Sequence, residues 1–187
     1  DSSRPDERGN HKDVNTGRDF IDSLIRERLI MPEVVCSLIE LCVFRFAHDR
    51  AEYLILKRSL ADIQYPGIWQ IITGTIREGE RAMDAALREM DEETAIRPAR
   101  FWAVPFSSTF YSPAVDTMNV SAFFAAEAKP TDDPVLSGEH ERYEWMTYNE
   151  ARQHLVWPGQ RCGLEIVDHY IVRGEQAGLV TIIPLPC

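Results

Sequence analysis

Residues 74–96 read GTIREGERAMDAALREMDEETAI, and this stretch decides which kind of fold the chain adopts. Residues 81–94 contain no Gly or Pro and are mostly good helix formers. Met83, Leu87 and Met90 recur at helical spacing, as expected for a helix with one apolar side facing a core. The stretch therefore predicts a loop followed by an amphipathic helix.

Three glutamates stand close together on this predicted helix. Glu89, Glu92 and Glu93 are at positions i, i+3 and i+4, so their carboxylates share one face. Like charges at this spacing repel, so helix stability alone does not favour the cluster. Magnesium takes oxygen ligands and in proteins commonly binds through a few carboxylates together with substrate phosphates. The cluster therefore predicts a magnesium site with a phosphate-containing partner.

The loop and one arginine support the same interpretation. Gly74 and Gly79 bracket a short loop before the helix, and glycine lets the backbone approach a ligand closely. Arg88 lies eight residues after Glu80 and four before Glu92. We expect its side chain to pair with acidic groups and to orient the carboxylate cluster.

The spacing of these residues resembles the Nudix box, G-x5-E-x7-R-E-U-x-E-E-x-G-U, in which U is aliphatic. The matching positions are Gly74, Glu80, Arg88, Glu89, Met90, Glu92, Glu93 and Ile96. One position departs, because Ala95 stands where the family has glycine. A left-handed residue is common where a helix ends, so an alanine there costs about 1 kcal/mol unless the helix ends with another geometry. The departure concerns the following turn and not the carboxylates.

The resemblance implies an α/β fold, a Nudix-type α/β/α sandwich with a mixed β-sheet and a loop-helix-loop box at one end. It covers Val34 to Val172, most of the chain. We expect a mobile extension over residues 1–17, an amphipathic helix over 18–32 that docks on the domain or on a second subunit in a homodimer, and a Nudix domain over 33–187. The apolar and turn patterns predict these further elements: strands at Val34–Phe46, Tyr53–Leu56, Trp69–Ile72, Phe101–Tyr111, Thr117–Ala126 and Tyr143–Met146, and helices at Asn149–Leu155 and Gly159–Val172.

Composition excludes several classes of function. A formal net charge of -10 argues against a basic surface for nucleic-acid backbone or anionic membrane. No apolar run approaches the roughly 20 residues of a membrane span, and no signal peptide is visible. The four cysteines show no CxxC spacing, so we expect reduced thiols in a cytoplasmic protein. Cys36 and Cys42 are an even number of residues apart, which predicts that both face one side of their strand and pack as small apolar groups.

The resemblance also implies roles for individual residues. Mg²⁺, or Mn²⁺ in its place, would be held by Glu89, Glu92, Glu93 and the backbone carbonyl of Thr73. Glu139 is either an additional ligand or an exposed loop carboxylate. The candidate catalytic residues are Glu89, as the general base, and Arg88, as the residue that supports it.

The substrate-binding candidates are Lys57, Arg58, Trp69, Gly74 and Tyr111. Lys57 and Arg58 either grip terminal phosphates or form a solvated strand end. Trp69 either stacks on a base or packs as a core aromatic, and His140 is more often a surface or core histidine than a ligand.

Three functions compete. The run Ile68-Trp69-Gln70 with Thr73 and Gly74, together with a later segment, is similar to dihydroneopterin triphosphate and nucleoside triphosphate pyrophosphohydrolases. The residues of that later segment are Glu139, His140, Tyr143 and Trp145. The second possibility is hydrolysis of dinucleoside polyphosphates or nucleoside diphosphate-linked compounds, which Tyr111 and Pro113 keep open. The third is a non-catalytic nucleotide-binding or partner-binding domain, and the intact glutamate cluster counts against it.

Overall fold

The computed structural model describes residues 32–175, 178 and 180–185. The predicted extension over residues 1–17 and nearly all of the predicted helix over 18–32 lie outside these residues. The strands of the described part are β1 (Glu33–Ala47), β2 (Arg50–Arg58), β3 (Trp69–Gln70), β4 (Ile72–Thr75), β5 (Arg100–Ser112), β6 (Thr117–Glu127), β7 (His140–Met146) and β8 (Thr181–Ile182). The helices of the same part are α1 (Ala82–Thr94), α2 (Tyr148–His154), α3 (Pro158–Val167) and a π-helical segment (Asp168–Val172).

Strand β1 is the centre of a mixed sheet with the order β3-β2-β1-β6-β5-β8. It pairs in parallel with β6 along most of its length, whereas its other neighbours are antiparallel. Its C-terminal end pairs with β2 through a tight hairpin, and its middle pairs with β4. Both turn residues of that hairpin, His48 and Asp49, have positive φ, as a two-residue hairpin turn requires. The predicted mixed sheet is confirmed.

The two faces of the sheet carry separate apolar clusters. Ile39 and Leu41 of β1 point to one face, where they pack with Ala86 and Met90 of α1. The alternate β1 side chains point to the other face and pack with residues of α2 and α3, which include Leu164. Because successive strand residues face opposite sides, one apolar strand can serve both layers. This arrangement is the predicted α/β/α sandwich.

The predicted strand Trp69–Ile72 is divided into two strands at Ile71. Before this residue the chain pairs with β2, and after it the chain pairs with β1. The backbone N–H of Ile71 donates instead to the Gln160 side-chain oxygen, at 3.3 Å. At the residue where the chain changes its neighbouring strand, a side chain therefore satisfies the backbone N–H. Local sequence does not reveal this.

The predicted helix Gly159–Val172 also has two parts, because α3 continues as a π-helical segment from Asp168. The buried Asp168 carboxylate accepts a hydrogen bond from the Tyr53 hydroxyl, at 2.6 Å, and forms an ion pair with Arg173, at 2.7 Å. These contacts hold the end of the helix against β2.

The expectation that Cys36 and Cys42 face one side of β1 is wrong. Cys36 is exposed and Cys42 is buried. The pairing of β1 with β6 shifts between Val35 and Leu38, where three steps along β1 match two along β6. A bulge of this kind reverses the alternation of side chains. Within the described residues, no helix is long and apolar enough to cross a membrane.

The end of α1 gives the first testable prediction. Ala95 has φ 55° and ψ 18°, the left-handed conformation expected at the position where the family has glycine. Ala95→Gly removes the steric strain of the methyl group, and we expect the free energy of unfolding to rise by about 0.5–1 kcal/mol in chemical denaturation. The matched change Ala82→Gly, in the first turn of the same helix, is expected to lower it by up to about 1 kcal/mol. Equal losses in both variants would contradict the strain at Ala95.

Candidate active site

The guanidinium of Arg88 lies at the centre of the box. Its Nε donates to Glu80 at 2.8 Å, and its Nη1 donates to Glu89 at 2.7 Å and to Glu92 at 3.0 Å. Its Nη2 donates to the backbone carbonyl of Thr75, at 3.0 Å. The hydrogen bond from Arg88 lowers the pKa of Glu80 to about 2. The predicted pairing of Arg88 with acidic side chains is confirmed.

Gly74 and Glu89 are in close contact. Gly74 lies on β4 opposite Ile39 of β1, and the Glu89 side chain fills the space where a Cβ of residue 74 would stand. Such a Cβ would lie 2.2 Å from Glu89 Cγ and 2.4 Å from Glu89 Oε1, closer than atoms can approach. Glycine at this position therefore allows the Glu89 carboxylate to lie against β4.

Glu93 has a different environment from Glu89 and Glu92, because it is 3% exposed. Its Oε2 atom is buried and has no hydrogen-bond partner in the described part of the chain. Burial raises the pKa of Glu93 well above its ordinary value, and the nearby charges of Glu89, Glu139 and Glu92 raise it further. Arg58 acts in the opposite direction. The four carboxylates thus lie within electrostatic range of one another.

These carboxylates are of the chemical kind that binds a divalent cation. Among the described residues, no three Asp, Glu, His or Cys side chains stand in a position to hold a metal ion as they are oriented here. Arg88 instead neutralises Glu89 and Glu92, and Glu93 keeps the repulsion of its neighbours. Carboxylate oxygens are the ligands that magnesium prefers, and a cation beside Glu93 would relieve that repulsion.

Two candidates from the strand ends lie near Glu93. Arg58 pairs with Asp62, and its Nε is buried without a hydrogen-bond partner among the described residues. Glu139 is exposed, in agreement with the loop-carboxylate alternative, and it also contributes to the raised pKa of Glu93. The backbone carbonyl of Glu139 accepts from the Ser59 N–H at 2.9 Å, which joins the two loops.

A chain of polar side chains connects Thr73 with Glu93. Gln70 Nε2 lies 3.4 Å from Thr73 Oγ1 and 3.5 Å from His140 Nε2. On the other side of the imidazole, His140 Nδ1 lies 3.6 Å from Glu93 Oε2. Burial and the positive charge of Arg58 lower the pKa of His140 to about 4, so the ring is neutral at physiological pH.

Lys57 and Trp69 are neighbours across β2 and β3. Lys57 pairs with Glu141 at 2.7 Å and is partly exposed. Trp69 is half-buried and packs against the apolar cluster on the face of the sheet that α2 and α3 cover. Its ring meets the His154 ring edge-on, with centroids 5.7 Å apart. These contacts are those of a core aromatic, the alternative to base stacking that the sequence left open.

The structure places Tyr111 apart from the carboxylates. Tyr111 lies near the tip of the β5–β6 hairpin, is exposed, and donates to Asp116 at 2.9 Å. Tyr111 pairs with Met118 of β6, and Met118 in turn pairs with Val34 of β1. Gly74 pairs with Ile39, which lies five residues further along β1. Five residues along a strand correspond to roughly 16 Å.

Sequence reasoning missed a buried carboxylate at Glu40, in the middle of β1. Burial raises the pKa of Glu40, and hydrogen bonds from Ser108 and Gln160 lower it in part. A carboxylate in the middle of the apolar run Val34–Phe46, whose only other charged residue is Arg45 near its end, was the signal that would have found it.

Comparison with known proteins decides the family. The model described as NUDIX domain matches residues 40–165, well over half of the chain. The chain belongs to the Nudix family. Together with its relatives, this makes the protein a Nudix hydrolase, and such hydrolases generally use divalent cations.

One curated relative of this Nudix hydrolase is the dihydroneopterin triphosphate diphosphatase of Escherichia coli (strain K12). The two are 30% identical over 121 residues, which cover 58% of this chain and 77% of the relative. Another is the octanoyltransferase of Myxococcus xanthus, 31% identical over 102 residues, or 51% of this chain. The match spans only 27% of that longer protein.

Solved structures share the fold of this Nudix hydrolase. A C. elegans Ap4A hydrolase binary complex superposes with a TM-score of 0.63 at 22% identity, covering 74% of this chain and 99% of the other. The E. coli dihydroneopterin triphosphate pyrophosphohydrolase superposes with a TM-score of 0.55 at 24% identity, covering 72% and 95%. At these identities the likeness concerns the fold.

The buried carboxylate of Glu93 predicts an unusual stability effect. Its pKa is raised in the native state, so below its ordinary value, near 4.5, the group is protonated in both states and carries no penalty. As the pH rises through the native pKa, the native state must hold a buried charge and loses stability. We expect metal-free Glu93→Gln to unfold at a higher temperature than the parent at pH 8, with a difference that shrinks toward pH 4.5.

The control for this measurement is Asp91→Asn, because Asp91 is exposed on the same helix. Its effect should stay within about 0.5 kcal/mol. A Glu93→Gln variant that is less stable than the parent at every pH would contradict the predicted repulsion.

The contact between Gly74 and Glu89 gives a further prediction. Gly74→Ala forces the Glu89 side chain away from β4, and we expect hydrolysis to slow about 100-fold while the protein stays folded. Because the effect acts through Glu89, the double variant Gly74→Ala/Glu89→Gln should be no slower than Glu89→Gln alone. Steady-state rates of the three variants test this, and multiplicative losses would show that Gly74 acts by another route.

Proposed function

We propose that this Nudix hydrolase cleaves a phosphoanhydride bond in a nucleoside triphosphate or a related pterin triphosphate. The products are pyrophosphate and a monophosphate, and the cofactor is Mg²⁺, with Mn²⁺ as a substitute. The observation that carries the proposal is the buried Glu93, surrounded by the charges of Glu89, Glu92 and Glu139. Such a cluster suits a cation that neutralises both protein carboxylates and substrate phosphates.

The substrate class is supported by the E. coli diphosphatase, of which the alignment covers 77%. The run Trp69-Gln70 with Thr73 and Gly74 is similar to enzymes of this type, and Gln70 forms a hydrogen bond with Thr73. Gln70 therefore helps to shape the strand that enters the box.

In the proposed mechanism, Glu89, Glu92, Glu93 and the Thr73 carbonyl would hold the cation. When bound, Mg²⁺ supplies positive charge that neutralises phosphate oxygens and lowers the pKa of water beside it. Glu89 accepts the proton of the attacking water, whose oxygen bonds to phosphorus while the bond from phosphorus to the bridging oxygen breaks. Arg88 holds Glu89 in position, at 2.7 Å.

The leaving pyrophosphate requires positive charge of its own. Lys57 and Arg58 are the candidates, and each now pairs with a carboxylate, Glu141 and Asp62 respectively. We propose that the terminal phosphates compete with these carboxylates for the two cations.

The alternative is hydrolysis of a dinucleoside polyphosphate. Two exposed aromatic side chains near the β5–β6 tip, Phe110 and Tyr111, favour it. As consecutive strand residues they face opposite sides of the sheet, and either exposed ring suits a second base. Both side chains lie far along the sheet from the carboxylates. A dinucleoside polyphosphate, with a base at each end, spans this separation better than a nucleoside triphosphate.

Product analysis separates the two functions. With Mg²⁺ and a panel of nucleoside triphosphates, dihydroneopterin triphosphate and dinucleoside polyphosphates, we expect pyrophosphate from a triphosphate. Cleavage of a dinucleotide into two nucleotides, with no turnover of triphosphates, would favour the alternative.

The metal ligands are tested with Glu92→Gln and Glu93→Gln. Because each variant removes a ligand charge while keeping the side-chain shape, we expect kcat to fall by about two or more orders of magnitude with the fold retained. Asp91→Asn, beside them on α1 and exposed, serves as the matched control and should keep the parent rate. Parent-like rates in both glutamine variants would remove the assignment of these ligands.

A further inference from the structure

His140 is buried beside the proposed metal ligand Glu93 and has no role in the mechanism above. Its side chain is 1% exposed, and that of Glu93 is 3% exposed. His140 begins β7, where the pairing with β2 shifts between Lys57 and Arg58 so that Glu141 has no partner on β2. A bulge of this kind redirects a side chain, and here it accompanies an imidazole that lies against α1.

Two buried polar atoms without partners face each other across this contact. They are His140 Nδ1 and Glu93 Oε2, 3.6 Å apart, and neither has a hydrogen-bond partner among the described residues. A buried polar atom without a hydrogen-bond partner destabilises the folded protein. The separation exceeds a normal N–H···O hydrogen bond by about 0.5 Å, so a small shift joins the two atoms.

Gln70 determines which ring nitrogen carries the proton. Its Nε2 lies 3.5 Å from His140 Nε2, so the amide donates and the ring nitrogen accepts. Because Nε2 accepts, the ring carries its proton on Nδ1, which faces Glu93 Oε2. The other tautomer would set two acceptors against each other and leave both without a partner. The Nδ1–H tautomer satisfies Gln70, His140 and Glu93 together.

We propose that His140 is a positioning residue for Glu93, donating Nδ1–H to Glu93 Oε2 so that the carboxylate presents its other oxygen, Oε1, to the cation. Gln70 supports it by holding the tautomer and also contacts Thr73, so one chain of side chains backs two of the proposed ligands. This inference rests on the metal role of Glu93 in the proposed function.

The experiment compares binding of Mn²⁺ alone to the full chain, measured by electron paramagnetic resonance titration. His140→Leu removes the donor, and we expect Mn²⁺ to bind about 10- to 100-fold more weakly, as for other residues that orient metal ligands. His140→Asn keeps an N–H near the position of Nδ1 and should bind within about threefold of the parent, in line with restored orientation. The apparent activation constant for Mg²⁺ should move with these values, while KM at saturating Mg²⁺ stays within about twofold.

Tyr53→Phe is the matched control, since it removes a buried hydrogen bond to Asp168, on the opposite face of the sheet from α1. It should leave Mn²⁺ binding unchanged. If His140→Leu does not fold, Gln70→Met is tested instead. This variant keeps His140 but removes the amide that fixes its tautomer, so weaker Mn²⁺ binding is again expected.

Parent-like Mn²⁺ binding in His140→Leu, or equal loss in His140→Leu and His140→Asn, would overturn the inference, as would parent-like binding in Gln70→Met. Glu93→Gln is titrated in parallel. If it binds Mn²⁺ as the parent does, the metal assignment of the proposed function fails and the role of His140 fails with it. If Glu93→Gln loses binding while His140→Leu keeps it, only the role of His140 is wrong.

Discussion

The rest of the site depends on one guanidinium, that of Arg88. It connects the loop through Glu80, the strand β4 through the Thr75 carbonyl, and the helix α1 through Glu89 and Glu92. Arginine suits this position because its charge is permanent and its donors form a rigid fork. Without it, the glutamates of α1 would repel one another more strongly and Glu80 would lose its ion pair with α1.

Glu93 is not among the hydrogen-bond partners of this arginine, and its environment differs from that of Glu89 and Glu92. Burial and neighbouring carboxylates both disfavour its charged form, and Arg58 compensates only in part. The charged form of Glu93 is thus unfavourable at the place where the proposed cation would bind, and stability and function are opposed at this residue. The neutral imidazole of His140 is a suitable neighbour, because it can donate a hydrogen bond without competing for the position of the cation.

Much of this could be predicted from local patterns. The box helix, its apolar side and the left-handed residue after it follow from spacing within one or two turns, and the strands follow from apolar runs. The division at Ile71 and the opposite exposures of Cys36 and Cys42 could not be predicted, because each depends on which neighbouring strand offers hydrogen bonds. The placement of Tyr111 likewise depends on strand order in the sheet and not on its distance from the box in sequence.

The sequence by itself determined the family, the helix and the group of glutamates with Arg88, because these residues lie within a few turns of one another and helical geometry relates them directly. Only the tertiary structure decided that Glu93 is buried while Glu92 is exposed, and that His140 and Gln70 stand behind Glu93. Burial and contacts between distant segments depend on how β1 orders the sheet and on where β7 bulges. Those are properties of strand pairing, which residue spacing along the chain does not specify.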